Sequence, residues 1–186
     1  MTTARKLLTA DDLLAMPDDG KKYELVRGEL IEMPPPGFMH GMVIGRIGRR
    51  IGNFVEEHSL DFVETFEVGI YTEQDPDTVR APDYTLTSLA RIIAPLPQRG
   101  YVFGLIPDLV VEVISPGYST AAAEARAQMW LDAGVRLALI AYIATQEIVA
   151  HSDDGAARRF GIGDTLTCEP VLPGFACQVA EIFARH

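Results

Sequence analysis

The chain has 186 residues, which suits one domain spanning 1–186 with a core large enough to be stable without disulfides or a structural metal. Its net charge of −10 disfavours a protein that clamps duplex DNA through many phosphates, since such proteins carry a basic surface. The longest apolar runs are too short to span a membrane, and no apolar signal segment follows the basic N-terminus. Cys168 and Cys177 lack metal-site spacing, so we expect free thiols in a reducing cytoplasm.

The first part of the chain predicts a short helix, a hairpin and one long helix. Thr9 can cap a helix that should end before Pro17. The segments Tyr23–Val26 and Glu29–Met33 flank a tight turn and predict two paired strands. A helix is predicted from about His40 to Glu57, because apolar residues recur there at helical spacing and should face the core: Ile44, Ile47, Ile51, Phe54 and Val55.

Two further stripes run along this long helix. Its arginines, spaced three and four residues apart, form a basic face that could contact phosphates or could simply be solvated: Arg46, Arg49 and Arg50. Its glycines cost the helix roughly 0.8–1.0 kcal/mol each against alanine. These glycines are Gly41, Gly45, Gly48 and Gly52. Either a neighbouring backbone or a second subunit approaches the helix closely there, or the helix is weak and held by tertiary packing.

The middle of the chain predicts a sheet with a helical crossover. Asp61 to Tyr71 predicts one strand bent at Gly69, and a polar turn then leads into a strand around Asp83. The sequence Asp108–Ser115, the alanine-rich segment Thr120–Ala133 and the apolar segment Val135–Ala144 predict strand, helix and strand, which implies a parallel crossover. The fold class expected is therefore α/β, a mixed sheet with helices packed against it.

The last part of the chain predicts shorter elements. Gln146–His151 and Arg158–Phe160 are predicted strands, Leu172–Phe175 is a predicted turn, and Val179–Ala184 is a predicted closing helix.

Two carboxylates lie in segments that otherwise predict strands, Asp83 and Glu112. The strand around Glu112 is almost continuous Val, Leu and Ile, so an unpaired carboxylate at its centre would cost several kcal/mol. Two carboxylates on neighbouring strands, with the backbone carbonyl of Val113, would suit Mg²⁺, and Mn²⁺ is also possible. The alternatives are that Asp83 caps a turn and that Glu112 pairs with an arginine, Arg126 being the candidate.

A metal-activated water also needs a positive group near the developing charge. Ile114, on the same face as Glu112, cannot supply it, and the nearest candidate is Arg126 on the following helix, one turn before Trp130. Glu24 in the hairpin could extend the metal site or be a cross-strand charge. His40 could contact substrate or act as a general acid, or it could be a surface residue.

An ordered set of short motifs covers nearly the whole chain, from about Leu8 to Phe183. They are Tyr23–Leu30, Met33–Pro36, His40, Pro82-Asp83, Pro107–Pro116, Ala133–Val135 and Leu172–Phe175. In this order they resemble the Uma2 family of predicted restriction endonucleases, which belongs to the PD-(D/E)XK nuclease superfamily. The resemblance implies a restriction-endonuclease-like mixed sheet with flanking helices.

The same resemblance implies a Mg²⁺-dependent endonuclease that acts on DNA as a homodimer, with Asp83 and Glu112 as the metal-binding acids. It implies that the superfamily lysine has moved from the strand to the next helix, where this chain has Arg126, and that Trp130 replaces the usual tyrosine. The segment Ala141–Thr145 also lacks the usual acidic residue and proline. Arginine cannot act as a base at physiological pH, but Arg126 could stabilise a pentacoordinate phosphate.

Two functions therefore remain as hypotheses. The first is a Mg²⁺-dependent endonuclease that hydrolyses DNA phosphodiester bonds. The second is a catalytically impaired nuclease-fold protein that acts as a dimeric binding or scaffold module.

Overall fold

The computed structural model describes residues 7–93 and 95–184. Its helices are α1 (Ala10–Ala15), α2 (Phe38–Glu57), α3 (Thr120–Asp132) and α4 (Val179–Phe183). Its strands are β1 (Lys22–Val26), β2 (Glu29–Met33), β3 (Phe62–Thr65), β4 (Ile70–Glu73), β5 (Thr78–Arg80), β6 (Tyr84–Ser88), β7 (Leu109–Ile114), β8 (Leu137–Tyr142), β9 (Glu147–Ser152), β10 (Ala157–Phe160), β11 (Thr165–Cys168) and β12 (Leu172–Gln178). No helix in the described part of the chain is long and apolar enough to cross a membrane.

A small antiparallel sheet carries the first part of the chain, in the order β2-β1-β5-β4. The predicted hairpin is confirmed, with Leu25 opposite Leu30 and the turn between β1 and β2. Helix α1 packs against this sheet and starts as predicted. The Thr9 hydroxyl accepts the Asp12 backbone N–H, and the Asp12 carboxylate accepts the Thr9 N–H.

The large sheet has the order β10-β9-β8-β7-β6-β3. Only the pair β7–β8 is parallel, and α3 connects its two strands, which confirms the predicted strand–helix–strand unit. The other neighbours in this sheet pair antiparallel, so the sheet is mixed, as predicted.

Strand β7 is buried along its whole length because helices cover both of its faces. Leu109, Val111 and Val113 share one apolar cluster with the buried residues of α2 and α4. Val110 and Ile114 belong to the opposite cluster, together with α3. Burying each such side chain contributes about 1.5–3 kcal/mol, so β7 fixes the centre of the fold.

The core face of α2 is largely the predicted one. Ile47, Ile51 and Val55 are buried, whereas Ile44 and Phe54 are partly buried and pack against the same cluster. The glycine stripe has close neighbours at only two positions. A Cβ at Gly48 would lie 2.8 Å from the Phe66 ring, and one at Gly52 would lie 2.5 Å from Glu64 Oε1. Side chains, not a neighbouring backbone, approach there, and the remaining two glycines face open space: Gly41 and Gly45.

The predicted basic face of α2 is mostly used within the chain. Arg46 donates to the backbone carbonyls of Ile182, at 3.3 Å, and of Ala184. Arg50 donates to Glu181 of α4 at 2.7 Å. These contacts fasten α4 to α2, so the arginines do not form the free phosphate-binding stripe that the sequence allowed.

Three local predictions were wrong. The strand expected around Asp83 does not contain it, because β5 ends before Asp83 in the small sheet and β6 begins after it in the large sheet. Asp61–Tyr71 is not one bent strand, because β3 joins the large sheet and β4 joins the small one. Leu172–Phe175 is not a turn but the start of β12, which pairs with the unpredicted strand β11. The Pro-Gly pair in β12 favours a turn locally, yet a two-stranded ribbon leaves one edge of each strand unpaired and tolerates both residues.

Candidate functional site

Every residue that the sequence singled out as a catalytic or metal-binding candidate lines one cavity of about 800 Å³. The cavity lies between the small sheet, the start of α2, the second half of β7 and α3. The residues brought together there are Glu24, His40, Asp83, Glu112, Val113 and Arg126.

Asp83 lies directly before β6 and contacts both β7 and α2. Its Oδ2 accepts the backbone N–H of Val113 at 2.7 Å, and its Oδ1 lies 2.9 Å from Nε2 of His40. Burial disfavours the charged imidazolium, but the hydrogen bond and charge of Asp83 outweigh it and raise the pKa of His40. Asp83 therefore does more than cap a turn, because it connects the first turn of α2 to the central strand.

Glu112 is buried on the α3 face of β7, as strand alternation predicts. Its Oε1 accepts the indole N–H of Trp130 at 2.7 Å and lies 2.7 Å from Nε of Arg126. Burial raises the pKa of Glu112, and the positive charge of Arg126 opposes that rise. Oε2 receives no hydrogen bond from the described residues, so this oxygen is available to a ligand in the cavity.

Arg126 bridges two carboxylates. Its Nη1 and Nη2 donate to the two oxygens of Glu24, at 3.0 and 2.7 Å, while its Nε faces Glu112. Burial disfavours the charged guanidinium, but the two carboxylates outweigh this and raise the pKa of Arg126, which stays protonated. The pairing of Glu112 with Arg126 was the alternative that the sequence left open, and the contact between Glu24 and Arg126 was not predicted.

Arg80 on β5 is a site residue that sequence reasoning missed. Its Nη1 donates to Glu24 Oε2 at 3.2 Å, and the backbone N–H of Ala81 donates to Glu24 Oε1 at 3.1 Å. The Nε of Arg80 is buried without a hydrogen-bond partner in the described part of the chain. Burial and the nearby charge of Arg126 lower the pKa of Arg80. Only its position three residues before Asp83 could have drawn attention to it.

The donor set fits a hard divalent cation that keeps most of its water. Asp83 and Glu112 present carboxylate oxygens to the same cavity. Among the described residues, no group of three or more His, Cys, Asp and Glu side chains is arranged to hold a metal. Two carboxylates plus water are an arrangement that Mg²⁺ commonly uses.

Comparison with known proteins decides the family. The model of the Uma2 family, described as "Putative restriction endonuclease", matches residues 10–180. The chain belongs to the Uma2 family. This Uma2 chain is also similar to a crystal structure of a "putative nuclease belonging to DUF820 from Anabaena variabilis ATCC 29413". The TM-score is 0.78 at 18% identity, over 95% of this chain and 97% of that one, so the likeness concerns the fold. No curated protein matches the chain.

The predicted fold class is confirmed for this Uma2 chain: a mixed α/β fold with a multi-stranded sheet and flanking helices. Family and fold together indicate a restriction-endonuclease-like nuclease. Fold likeness does not identify the reacting groups, so the roles of the cavity residues are argued from their geometry.

Proposed function

We propose that the protein is a Mg²⁺-dependent endonuclease that hydrolyses DNA phosphodiester bonds. Asp83, Glu112 and the carbonyl of Val113 would hold the ion, and Mn²⁺ could replace Mg²⁺. The observation that carries the proposal is that Asp83 and Glu112 line one cavity, with Oε2 of Glu112 free of hydrogen bonds from the described residues. The membership of the chain in a family described as restriction endonucleases supports the same reaction class.

When bound, the ion would make its water a better nucleophile and would neutralise charge on the phosphate. The residues of the chain would position the phosphodiester and protonate the leaving oxygen. Because Nε2 of His40 contacts Asp83, Nδ1 is the ring nitrogen that would donate a proton to the leaving oxygen. Arg126 holds Glu24 and Glu112 in place, and its permanent charge would stabilise the negative charge that develops on the phosphate.

A plasmid-nicking assay tests this function. Supercoiled, linear and single-stranded DNA are incubated with the protein in Mg²⁺, in Mn²⁺ and in EDTA. We expect metal-dependent cleavage by the parent, and its loss in Asp83→Asn and Glu112→Gln. Asp108→Asn is the matched control, because Asp108 is a buried acid at the other end of the β7 region, paired with Arg91 at 3.0 Å and outside the cavity. Absence of cleavage in all three DNA forms, or cleavage that persists in Asp83→Asn, would overturn the proposal.

One observation favours the second candidate, a catalytically impaired protein that acts as a dimeric binding or scaffold module. Arg126 already places a cation between Glu24 and Glu112, and Trp130 occupies Oε1 of Glu112. Calorimetric titration with Mn²⁺ separates the two functions. A nuclease should bind the ion with an affinity that falls in Glu112→Gln, whereas a scaffold should show no binding that depends on Glu112. Cleavage that appears only in Arg126→Lys would indicate that turnover was lost through the arginine.

The homodimer, the single domain over 1–186 and the cytoplasmic location remain predictions. Sedimentation equilibrium, limited proteolysis and cell fractionation would test them in turn.

A further inference from the structure

The cavity also has apolar and aromatic lining residues that metal chemistry does not require. They come from α1, the small sheet, the start of α2 and the loop before β7: Leu13, Tyr23, Met33, Met39, Val79 and Tyr101. Tyr23 and Tyr101 pack against the apolar cluster of α1, β1 and β5. A ligand that filled the whole cavity would therefore contact both charged groups and aromatic rings.

The ring of Tyr101 packs against Gly69, where any side chain would collide with the ring. A Cβ built at Gly69 would overlap the Tyr101 ring, and both residues line the cavity. Packing against Gly69 and the cluster of the small sheet fixes one side of the ring. A planar, rigid surface of this kind suits the stacking of a nucleobase, which is tolerant of base identity because every base has a π-face.

Arg80 is the guanidinium of the cavity that could contact a phosphate directly, whereas Arg126 could act on a phosphate only through its charge. Three nitrogens of Arg126 face Glu24 or Glu112, and its side chain is 8% exposed. Arg80 makes one side-chain hydrogen bond, to Glu24, and its side chain is 19% exposed. Its Nε is buried, so the exposed part of the guanidinium is what a phosphate could contact, and Nη2 there makes no hydrogen bond with the described residues.

The rest of the chain offers few cationic side chains that could contact the phosphates of a DNA duplex. The net charge is −10, and Arg46 and Arg50 of α2 are bonded to α4 or to the carbonyls around it. Duplex binding needs many phosphate contacts, whereas single-strand binding draws much of its free energy from stacking on aromatic side chains.

We propose that this cavity binds an unpaired nucleotide of single-stranded DNA, with its base against Tyr101 and an adjoining phosphate at Arg80. The proposal rests on the proposed function in taking DNA as the ligand. It adds that the nucleotide bound in the cavity is unpaired. The charged residues would then receive the phosphodiester, and the aromatic lining would select for an exposed base. A base kept within a duplex could not reach the ring.

Fluorescence anisotropy in EDTA tests this binding without turnover. The probes are a fluorescein-labelled oligothymidylate, a duplex of equal length, and an abasic deoxyribose-phosphate oligomer. We expect the oligothymidylate to bind at least about tenfold tighter than either other probe. Tyr101→Leu should weaken oligothymidylate binding by about 5- to 150-fold, the range for one stacked base, and should leave the abasic oligomer unaffected. Tyr101→Phe keeps the ring and should bind as the parent does.

Phe103→Leu is the matched control, because Phe103 is an exposed aromatic residue of the same loop that does not line the cavity. Gly69→Ala is a second variant that displaces the Tyr101 ring without removing it, and it should weaken the same probe. Thermal unfolding of each variant identifies any loss of folded protein. Equal binding of the single strand and the duplex, or equal effects of Tyr101→Leu and Phe103→Leu, would overturn the proposal. A chain that binds oligothymidylate through Tyr101 but cleaves none of the supercoiled, linear and single-stranded DNA would overturn the endonuclease alone.

Discussion

The substitution Arg126→Met removes the cation that two buried carboxylates share. The side chains of Arg126, Glu24 and Glu112 are 8%, 2% and 7% exposed. Removing one partner of a buried ion pair costs about 3–5 kcal/mol, because the remaining charge stays buried and unpaired. Because Arg80 keeps one hydrogen bond to Glu24, we expect the loss of unfolding free energy in Arg126→Met to lie within this range and not above it. The measurement is the free energy of unfolding in urea.

Arg50→Met is the matched control for this experiment. It removes the same side chain from an exposed pair with Glu181, whose partners are 24% and 55% exposed, and it should cost no more than about 1 kcal/mol. Adding Glu24→Gln to Arg126→Met should recover part of the loss, since one of the stranded charges disappears. Mg²⁺ should stabilise Arg126→Met more than the parent, because the ion can replace the missing cation. If Arg126→Met cost no more than Arg50→Met, the bridging role of Arg126 would be refuted.

Two further predictions concern α2 and the thiols. Gly45→Ala should raise the free energy of unfolding by about 0.8–1.0 kcal/mol, because a Cβ there meets open space. Gly52→Ala should lose that gain, since its Cβ would displace the Glu64 carboxylate from the Tyr84 hydroxyl. Urea unfolding measures both variants, and an equal rise in the free energy of unfolding for Gly45→Ala and Gly52→Ala would contradict the packing around Gly52. Burial raises the pKa of Cys168, so Ellman's reagent should label this thiol only on unfolding; rapid labelling of it in the native protein would refute its burial.

The sequence predicts the elements whose own patterns are strong. Helix α2 and the unit β7–α3–β8 follow from apolar periodicity and from runs of Val, Leu and Ile long enough to outweigh local alternatives. Glu112 could be singled out because a carboxylate inside such a run is costly without a partner. The strand pair β11–β12 could not be found in this way, because the Pro-Gly pair in β12 favours a turn and only tertiary pairing overrides it.

Arg126 could be named as a candidate partner of Glu112, but the partners of Glu24 could not be predicted because they depend on distant segments. Glu24 and Arg126 are 102 positions apart, and Glu24 and Arg80 are 56 apart. Nothing near Glu24 in the sequence identifies it as the residue that joins two arginines. The roles of Arg80 and Tyr101 likewise arise only when the small sheet closes one side of the cavity. Sequence reasoning therefore named the candidate acids and Arg126, and the fold brought Glu24, Arg80 and Tyr101 to the same cavity.

The most direct measurement of the central claim is the anomalous difference density of a crystal soaked in Mn²⁺. The account predicts one peak bounded by carboxylate oxygens of Asp83 and Glu112, at roughly 2.0–2.2 Å from each, and absent from Glu112→Gln crystals. A soak that leaves these two carboxylates with only their present partners, His40, the Val113 N–H, Trp130 and Arg126, and no peak between them, would contradict the account.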